Sequence, residues 1–211
     1  MTSGQSLVHI VDDDPAVRTA LGRLLRAEGH QVILSASAEE FLTRPPDDGN
    51  ACVLLDLAMP GLGGLAVQQR MREVGDLRPV TFLTGEGNVA SGVHAMKAGA
   101  VDFLVKPVDG AVLITAIGTA LHRGQEQRAR HAIQRDAAAR IASLTVREHE
   151  VMLLVIAGMT NKCIAGELGI AEKTVKIHRA NMIAKMGADS VASLVRLTAV
   201  VGVAPGGRKG I

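Results

Sequence analysis

The sequence predicts a doubly wound α/β sandwich around a five-stranded parallel sheet, (βα)5, then a linker helix and an all-α bundle of four short helices. Three observations carry this. Over residues 1–121, short β-rich apolar runs alternate with segments of helical period, the order that covers a parallel sheet with helices. Beyond Ser143 the β-rich runs cease, and short helical segments stop at Gly158, Gly169, Gly187 and Gly202. The charge divides in the same region: residues 1–121 hold 9 Lys/Arg and 14 Asp/Glu, a balance of −5, whereas residues 122–211 hold 14 and 7, a balance of +7.

Taken in order, the predicted strands are Leu7–Val11, Gln31–Leu34, Cys52–Asp56, Val80–Leu83 and Val101–Val105. The helices between and after them are Asp14–Glu28, Ala38–Thr43, Gly64–Glu73, Val89–Ala98 and Asp109–Leu121, with Gly29, Gly75 and Gly99 placed to end three of them. These make a domain over 1–121. Residues 122–143 are polar and rich in Ala, Gln and Arg, with sparse apolar residues (Ile133, Ala137, Ile141, Leu144) stepping by four or three. That pattern predicts a solvent-bridging linker helix, with Gly124 as a break. A second domain over 144–202 opens with a T-x-x-E capping box, Thr145 and Glu148. Thr160 precedes a helix over 161–168, Glu172–Met186 forms the third, and Ser190 caps the fourth. Residues 203–211, "VAPGGRKGI", read as a disordered tail.

Composition narrows the function. With 211 residues and 47% hydrophobic content, the chain can build two cores. No apolar run reaches the ~18–20 residues of a membrane span, and "MTSGQS" lacks the basic, then apolar start of a secretory signal. Cys52 and Cys163 form no CxxC pair, so neither a disulfide framework nor a zinc site is suggested and a cytoplasmic setting is expected. The basic second half points to a polyanion. Three Phe and no Tyr or Trp offer little platform for stacking unpaired bases, which favours duplex DNA over single strands.

The first half gathers its chemistry at the carboxyl ends of the strands, where open α/β sheets place functional groups. Strand one delivers Asp12 and Asp13, strand three Asp56, strand four Thr84 and strand five Lys106. A lone Asp at a strand end is usually a turn residue or a cap, and Asp14 before Pro15 fits an N-cap. That reading leaves Asp12 and Asp13 unexplained. Crowded carboxylates are stable as anions with a cation among them, and an all-oxygen set suits Mg²⁺. With a lysine and a hydroxyl nearby, Asp56 can act as a carboxylate nucleophile toward a phosphoryl group.

In the second half, helices over 161–168 and 172–186 are joined by the short turn "GIA", a helix-turn-helix pattern whose second helix enters the major groove. Val175, His178, Met182, Ile183 and Met186 share one face and are expected in the core. Lys173, Thr174, Lys176, Ile177, Arg179 and Ala180 fall on the other, with groups suited to phosphates, guanine and thymine methyls.

The residues "VDDDPAVR", "LLDLAMPG", "LTG" and "AMKAGAVDFLVKP", in that order, resemble the receiver domain of bacterial response regulators over roughly residues 5–121. Residues 144–197, "LTVREHEVMLLVIAG" through "VASLVRL", resemble the LuxR/NarL-type four-helix DNA-binding domain. The layout is that of the FixJ/NarL family, and "TGEGNVASGVHAMKAGAVDFLVKP" leans toward its FixJ-like members.

The resemblance implies that Asp56 accepts a phosphoryl group from a sensor histidine kinase. Asp13, Asp56 and the backbone carbonyl of Ala58 would hold Mg²⁺, with Asp12 assisting through water. Thr84 and Lys106 would bind the phosphoryl oxygens, Thr84 and Phe103 would form the switch, and Lys106–Pro107 falls where the family has a cis peptide. It also implies Glu172–Met186 as recognition helix, Asn161 and Lys162 as phosphate contacts, and pairing through Ser190–Val200. A phosphorylated homodimer on double-stranded promoter DNA, with RNA polymerase as a further partner, completes the picture. Ala171 departs from the family, many of whose members have a capping Ser or Thr there; losing that cap costs about 1 kcal/mol.

Other function classes fit less well. A free-standing Mg²⁺-dependent phosphohydrolase would have a second acid two residues after its nucleophile, where this chain has Ala58. A constitutive DNA-binding protein would be expected to carry a degenerate acidic site. A nucleotide-binding domain would follow strand one with a glycine-rich loop, not Asp12–Asp14. No turnover of an external substrate is expected. Glu86, two residues past Thr84, is placed to orient or block an attacking water. Glu86→Ala is therefore expected to change the rate of dephosphorylation in a phosphate-release assay; an unchanged rate removes Glu86 from that role.

Overall fold

The computed structural model describes residues 6–47, 49–85 and 96–204. The chain divides into two compact units between Arg128 and Ala129. In the first, five parallel strands stand in the order β2-β1-β3-β4-β5: β1 Leu7–Val11, β2 Gln31–Ser35, β3 Ala51–Asp56, β4 Val80–Thr84 and β5 Asp102–Val105. Every residue of β3 is buried, as expected of a central parallel strand covered on both faces.

Alternation along the strands sorts the core into two layers. Val8, Ile10, Cys52 and Leu54 pack with Leu21 and Leu25 of α1 (Pro15–Ala27) and with Leu113, Ile117 and Leu121 of a later helix. On the other face Val11, Val53, Leu55 and Phe82 pack with Phe41 of α2 (Ala38–Leu42) and with Val67 and Met71 of α3 (Gly64–Glu73). Gly29, Gly75 and Gly99 have φ of 87°, 72° and 78°, the left-handed backbone that stops helices. The predicted helix Val89–Ala98 lies outside the described residues apart from its last three positions.

The largest departure from expectation is α4, Gly110–Ala142, one helix of 33 residues where the sequence suggested a domain helix ending at Leu121 and a separate linker over 122–143. Gly124 does not break it. A Cβ at Gly124 would lie 3.0 Å from Pro79 Cδ and 3.1 Å from Pro79 Cγ, so the glycine serves a close approach of Pro79 to the helix. One interior glycine costs about 1 kcal/mol relative to alanine, an amount its Ala-, Gln- and Arg-rich neighbours can carry.

The second unit contains the end of α4, then α5 (Val146–Ile156), α6 (Asn161–Leu168), α7 (Glu172–Met186) and α8 (Val191–Val200). Both predicted caps form: Thr145 and Glu148 close a capping box on α5, and Ser190 pairs with Ser193 on α8. Ala171 makes no side-chain cap on α7. Val151, Met152, Ile164, Val175, Met182, Met186 and Leu194 build the core, while His178 and Ile183 are only half-buried. Of the linker's apolar residues, Ala137 is fully buried and Ile133 is exposed. Val203, expected at the start of a disordered tail, instead packs on this core, and its N–H donates to Thr198 O at 3.0 Å. Residues 205–211 lie outside the described part.

A buried polar cluster sits on the α2/α3 face of the sheet. Asp76 pairs with Arg78, whose Nη1 also reaches Asp47 Oδ2 at 2.8 Å, and the guanidinium lies 4.9 Å from the Phe41 ring centre. His9 Nε2 lies 2.6 Å from Asp47 Oδ2 and 3.0 Å from Arg78 Nη1, donating to the carboxylate when it carries the proton and accepting from the guanidinium when it does not. Its Nδ1 is buried and has no partner. The imidazolium, with both nitrogens protonated, would carry an unsatisfied Nδ1–H and a charge beside Arg78. Burial first, then the Arg78 charge, lower the His9 pKa against the pull of Asp47. The unfolded chain binds this proton at the ordinary value of about 6.5 and the folded chain only below it, so His9 favours folding above that value and the contribution is lost as pH falls. Urea midpoints should therefore drop more between pH 7.5 and 5.5 in the wild type than in His9→Gln; equal drops would exclude this source.

Candidate functional site

The carboxyl ends of β1, β3, β4 and β5 bring the predicted acidic site together. Asp12 is fully buried, Asp56 is 5% exposed and Asp13 is open to solvent. One carboxylate oxygen from each lies within 4.8 Å of the other two. Lys106 Nζ donates to Asp12 Oδ2 at 2.6 Å and to Asp56 Oδ2 at 2.9 Å, so a residue 94 positions from Asp12 bridges the two buried acids. The remaining oxygens are held by backbone: Asp14 N–H donates to Asp12 Oδ1 at 2.9 Å and Ala58 N–H to Asp56 Oδ1 at 3.1 Å.

Local sequence explains each placement. Asp14 caps α1, accepting from the N–H groups of Ala16 and Val17 with Pro15 in the first turn, and this turn presents Asp12 and Asp13 at the rim. Asp56 ends β3 beside Leu83 of β4. Thr84, 3% exposed, ends β4 beside Val105, and its carbonyl accepts the Lys106 N–H at 2.7 Å. The Lys106–Pro107 peptide is cis. Phe103 is half-buried, stands beside Phe82 in the β4/β5 pairing, and packs against the α2/α3-side core.

Three carboxylates and one ammonium leave a formal surplus of two negative charges. Burial raises the Asp12 pKa, opposed by the Lys106 hydrogen bond; for Lys106, burial is outweighed by Asp12 and Asp56, which raise its pKa and keep it charged. A hard divalent cation bound through oxygens, with Asp13 open to solvent, fits this donor set. Two residues escaped sequence reasoning. Arg18 Nη1 donates to the Asp12 carbonyl at 2.6 Å, tying α1 to the acidic turn. Gly64 opens α3 so close to Asp56 O that a Cβ has no room, a requirement that its position eight residues after Asp56 hinted at only faintly. Glu86 lies outside the described residues, and Ala58 is exposed.

In the helical unit, α6 and α7 are joined through Gly169, left-handed at φ 64°. Lys173, Lys176 and Ala180 are exposed, Ile177 is 53% exposed, and Thr174 and Arg179 are half-buried. At the start of α6, Lys162 is exposed and Asn161 half-buried. Lys176 pairs with Glu172 at 3.2 Å, and Arg179 Nη1 donates to Asn161 Oδ1 at 2.9 Å. Two residues expected to face DNA independently are thus bonded to each other, which orients both.

Residues 8–118 match the response regulator receiver domain, and residues 142–198 match the luxR family of bacterial regulatory proteins. The chain is 42% identical over 201 residues to the transcriptional regulatory protein FixJ of Rhizobium meliloti, covering 94% of this chain and 97% of that protein. It is 40% identical over 198 residues to FixJ of Azorhizobium caulinodans, covering 94% of each. Among solved structures, the response regulator StyR aligns with a TM-score of 0.81 at 40% identity, covering 93% of this chain and 99% of that one. Full-length FixJ from B. japonicum aligns with a TM-score of 0.57 at 40% identity, covering 96% and 98%.

The acidic site predicts its own cation response. Mg²⁺ at about a hundred times its dissociation constant should stabilise the native state by about 2.7 kcal/mol. Asp13→Asn, which leaves both Lys106 bridges in place, should weaken that gain in a thermal melt. Equal Mg²⁺ responses in the two proteins would place the cation elsewhere.

Proposed function

The chain belongs to the FixJ-like response regulators, with a receiver domain and a LuxR-type DNA-binding domain, and from that premise we propose that phosphorylation of Asp56 switches its binding to promoter DNA. The observation that carries this reading is the Lys106 bridge between Asp12 and Asp56 beside a solvent-open Asp13. An Asp56 carboxylate oxygen attacks the phosphorus of a phosphohistidine on a sensor histidine kinase; the O–P bond forms, the P–N bond breaks and the histidine leaves. Lys106 holds the carboxylate and then a phosphoryl oxygen, and Thr84 donates its hydroxyl to another. Asp12, Asp13, Asp56 and the Ala58 carbonyl would hold Mg²⁺, whose charge offsets that of the incoming group.

As Thr84 turns toward the phosphoryl group, Phe103 moves into the space it leaves and reshapes the edge of the sheet around β5. Exposed Val105 on this edge strand and exposed Val112 on α4 supply apolar surface for a homodimer. Two copies then present two α7 helices to a two-half-site promoter element, where Lys173, Lys176, Arg179 and Lys162 meet phosphates and base edges, Asn161 orients Arg179, and Thr174, Ile177 and Ala180 fill the groove. Activation through contact with RNA polymerase is the expected outcome, with no turnover of an external substrate. No helix among the described residues is long and apolar enough to cross a membrane; we place the protein in the cytoplasm.

The decisive experiment is intact mass after incubation with Mg²⁺ and a small phosphodonor, beside Asp56→Asn. A single phosphoryl gain in the wild type alone, abolished by chelator, is expected. No gain in either protein, with kinase-supplied phosphate as well, would leave a constitutive DNA-binding protein.

A further inference from the structure

We propose that Arg140, near the end of α4, is a positioning residue for DNA recognition that sets the pose of α7. The inference rests on α7 being the helix that enters the groove.

Met186 is the last residue of α7, so its carbonyl is one of the four that a helix cannot satisfy internally. Arg140 Nη1 donates to that carbonyl at 2.8 Å. The cation also stands at the negative end of the helix dipole. Asp136, one turn earlier, pairs with Arg140 Nε at 2.9 Å and biases the guanidinium toward this position. Between them, Ala137 is fully buried, which anchors this turn of α4 in the helical unit.

Gly187 completes the fit. Its φ of 60° favours glycine, and a Cβ there would meet Arg140 Nη1, so a larger residue at this stop would push the guanidinium off the Met186 carbonyl. A second tie lies alongside: Lys185 Nζ donates at 2.6 Å to Glu148 Oε2, the same oxygen that caps α5 by accepting the Thr145 N–H. Residues 140–148 therefore grip the last turn of α7. The groove-facing Lys173 and Lys176 lie in its first two turns, at the other end of a lever of about 20 Å. Because Ala171 gives α7 no side-chain cap at its start, the hold at its far end matters more. Arg140 thus acts on DNA through α7, without touching it.

The test uses the full chain, treated with phosphodonor, and two duplexes: one enriched from a random pool by the wild type, and one of unrelated sequence. Arg140→Met keeps length and helix propensity but removes the donor. It is expected to melt cooperatively, to lose about tenfold in affinity for the enriched duplex, and to keep both its affinity for the unrelated duplex and its salt slope. Arg140→Lys should restore much of the loss. Unchanged affinity for the enriched duplex would overturn the inference, as would equal loss on both duplexes with the log–log salt slope reduced by about one, the signature of a direct phosphate contact. If Arg140→Met does not fold, Asp136→Ala decides: weaker binding to the enriched duplex alone upholds the role, and unchanged binding overturns it. A wild type that enriches no duplex would instead refute the DNA-binding reading of α7, and this inference with it.

Discussion

The sheet unit depends on how two buried carboxylates survive beside one another. Asp12 and Asp56 sit at the ends of adjacent strands, almost without solvent, where an isolated charge costs several kcal/mol. Lys106 resolves the conflict by donating to both. Its reach requires β5 at the sheet edge with its end level with Thr84, and that register follows from the β4/β5 pairing. The order β2-β1-β3-β4-β5, the burial of β3 and the cap at Asp14 all serve to place three acids and one base on a single rim.

The same principle, polar groups ordered by partners that arrive from elsewhere in the chain, governs the helical unit. α7 has a fully buried stripe of Val175, Met182 and Met186, which fixes its contact with the core. A stripe of apolar contacts leaves some freedom to slide and rotate. The Arg179–Asn161 bond and the ties of Arg140 and Glu148 to its last turn add directional contacts that oppose such motion. A helix that reads base edges is useful only in one pose, because they are read through hydrogen bonds with little angular tolerance.

Much of the fold was legible because its signals are local. β1 and α3 have their predicted bounds, and the other strands differ by one residue at an end, since apolar periodicity and helix caps act over a few residues. Gly124 misled because a glycine that ends a helix and a glycine that admits a neighbour look identical in sequence; Pro79, 45 positions earlier, decides between them. Val203 looked like the start of a tail for the same reason, because the core that receives it comes from other helices.

By itself, the sequence determined the alternation of strands and helices, the identity of the acids, hydroxyl and lysine at the strand ends, the helix-turn-helix and the basic character of the second half. These follow from side-chain chemistry and spacing along the chain. The tertiary structure decided that one ammonium bridges Asp12 and Asp56, that Asn161 and Arg179 hold each other, that Arg140 caps α7, and that Arg78 gathers Asp47, Asp76 and His9 on one face of the sheet. Each is a polar contact between residues brought together by packing, and most join residues far apart in the chain. Hydrogen-bond energy falls away over a few tenths of an ångström, whereas sequence pattern locates a side chain only to a face or a strand end.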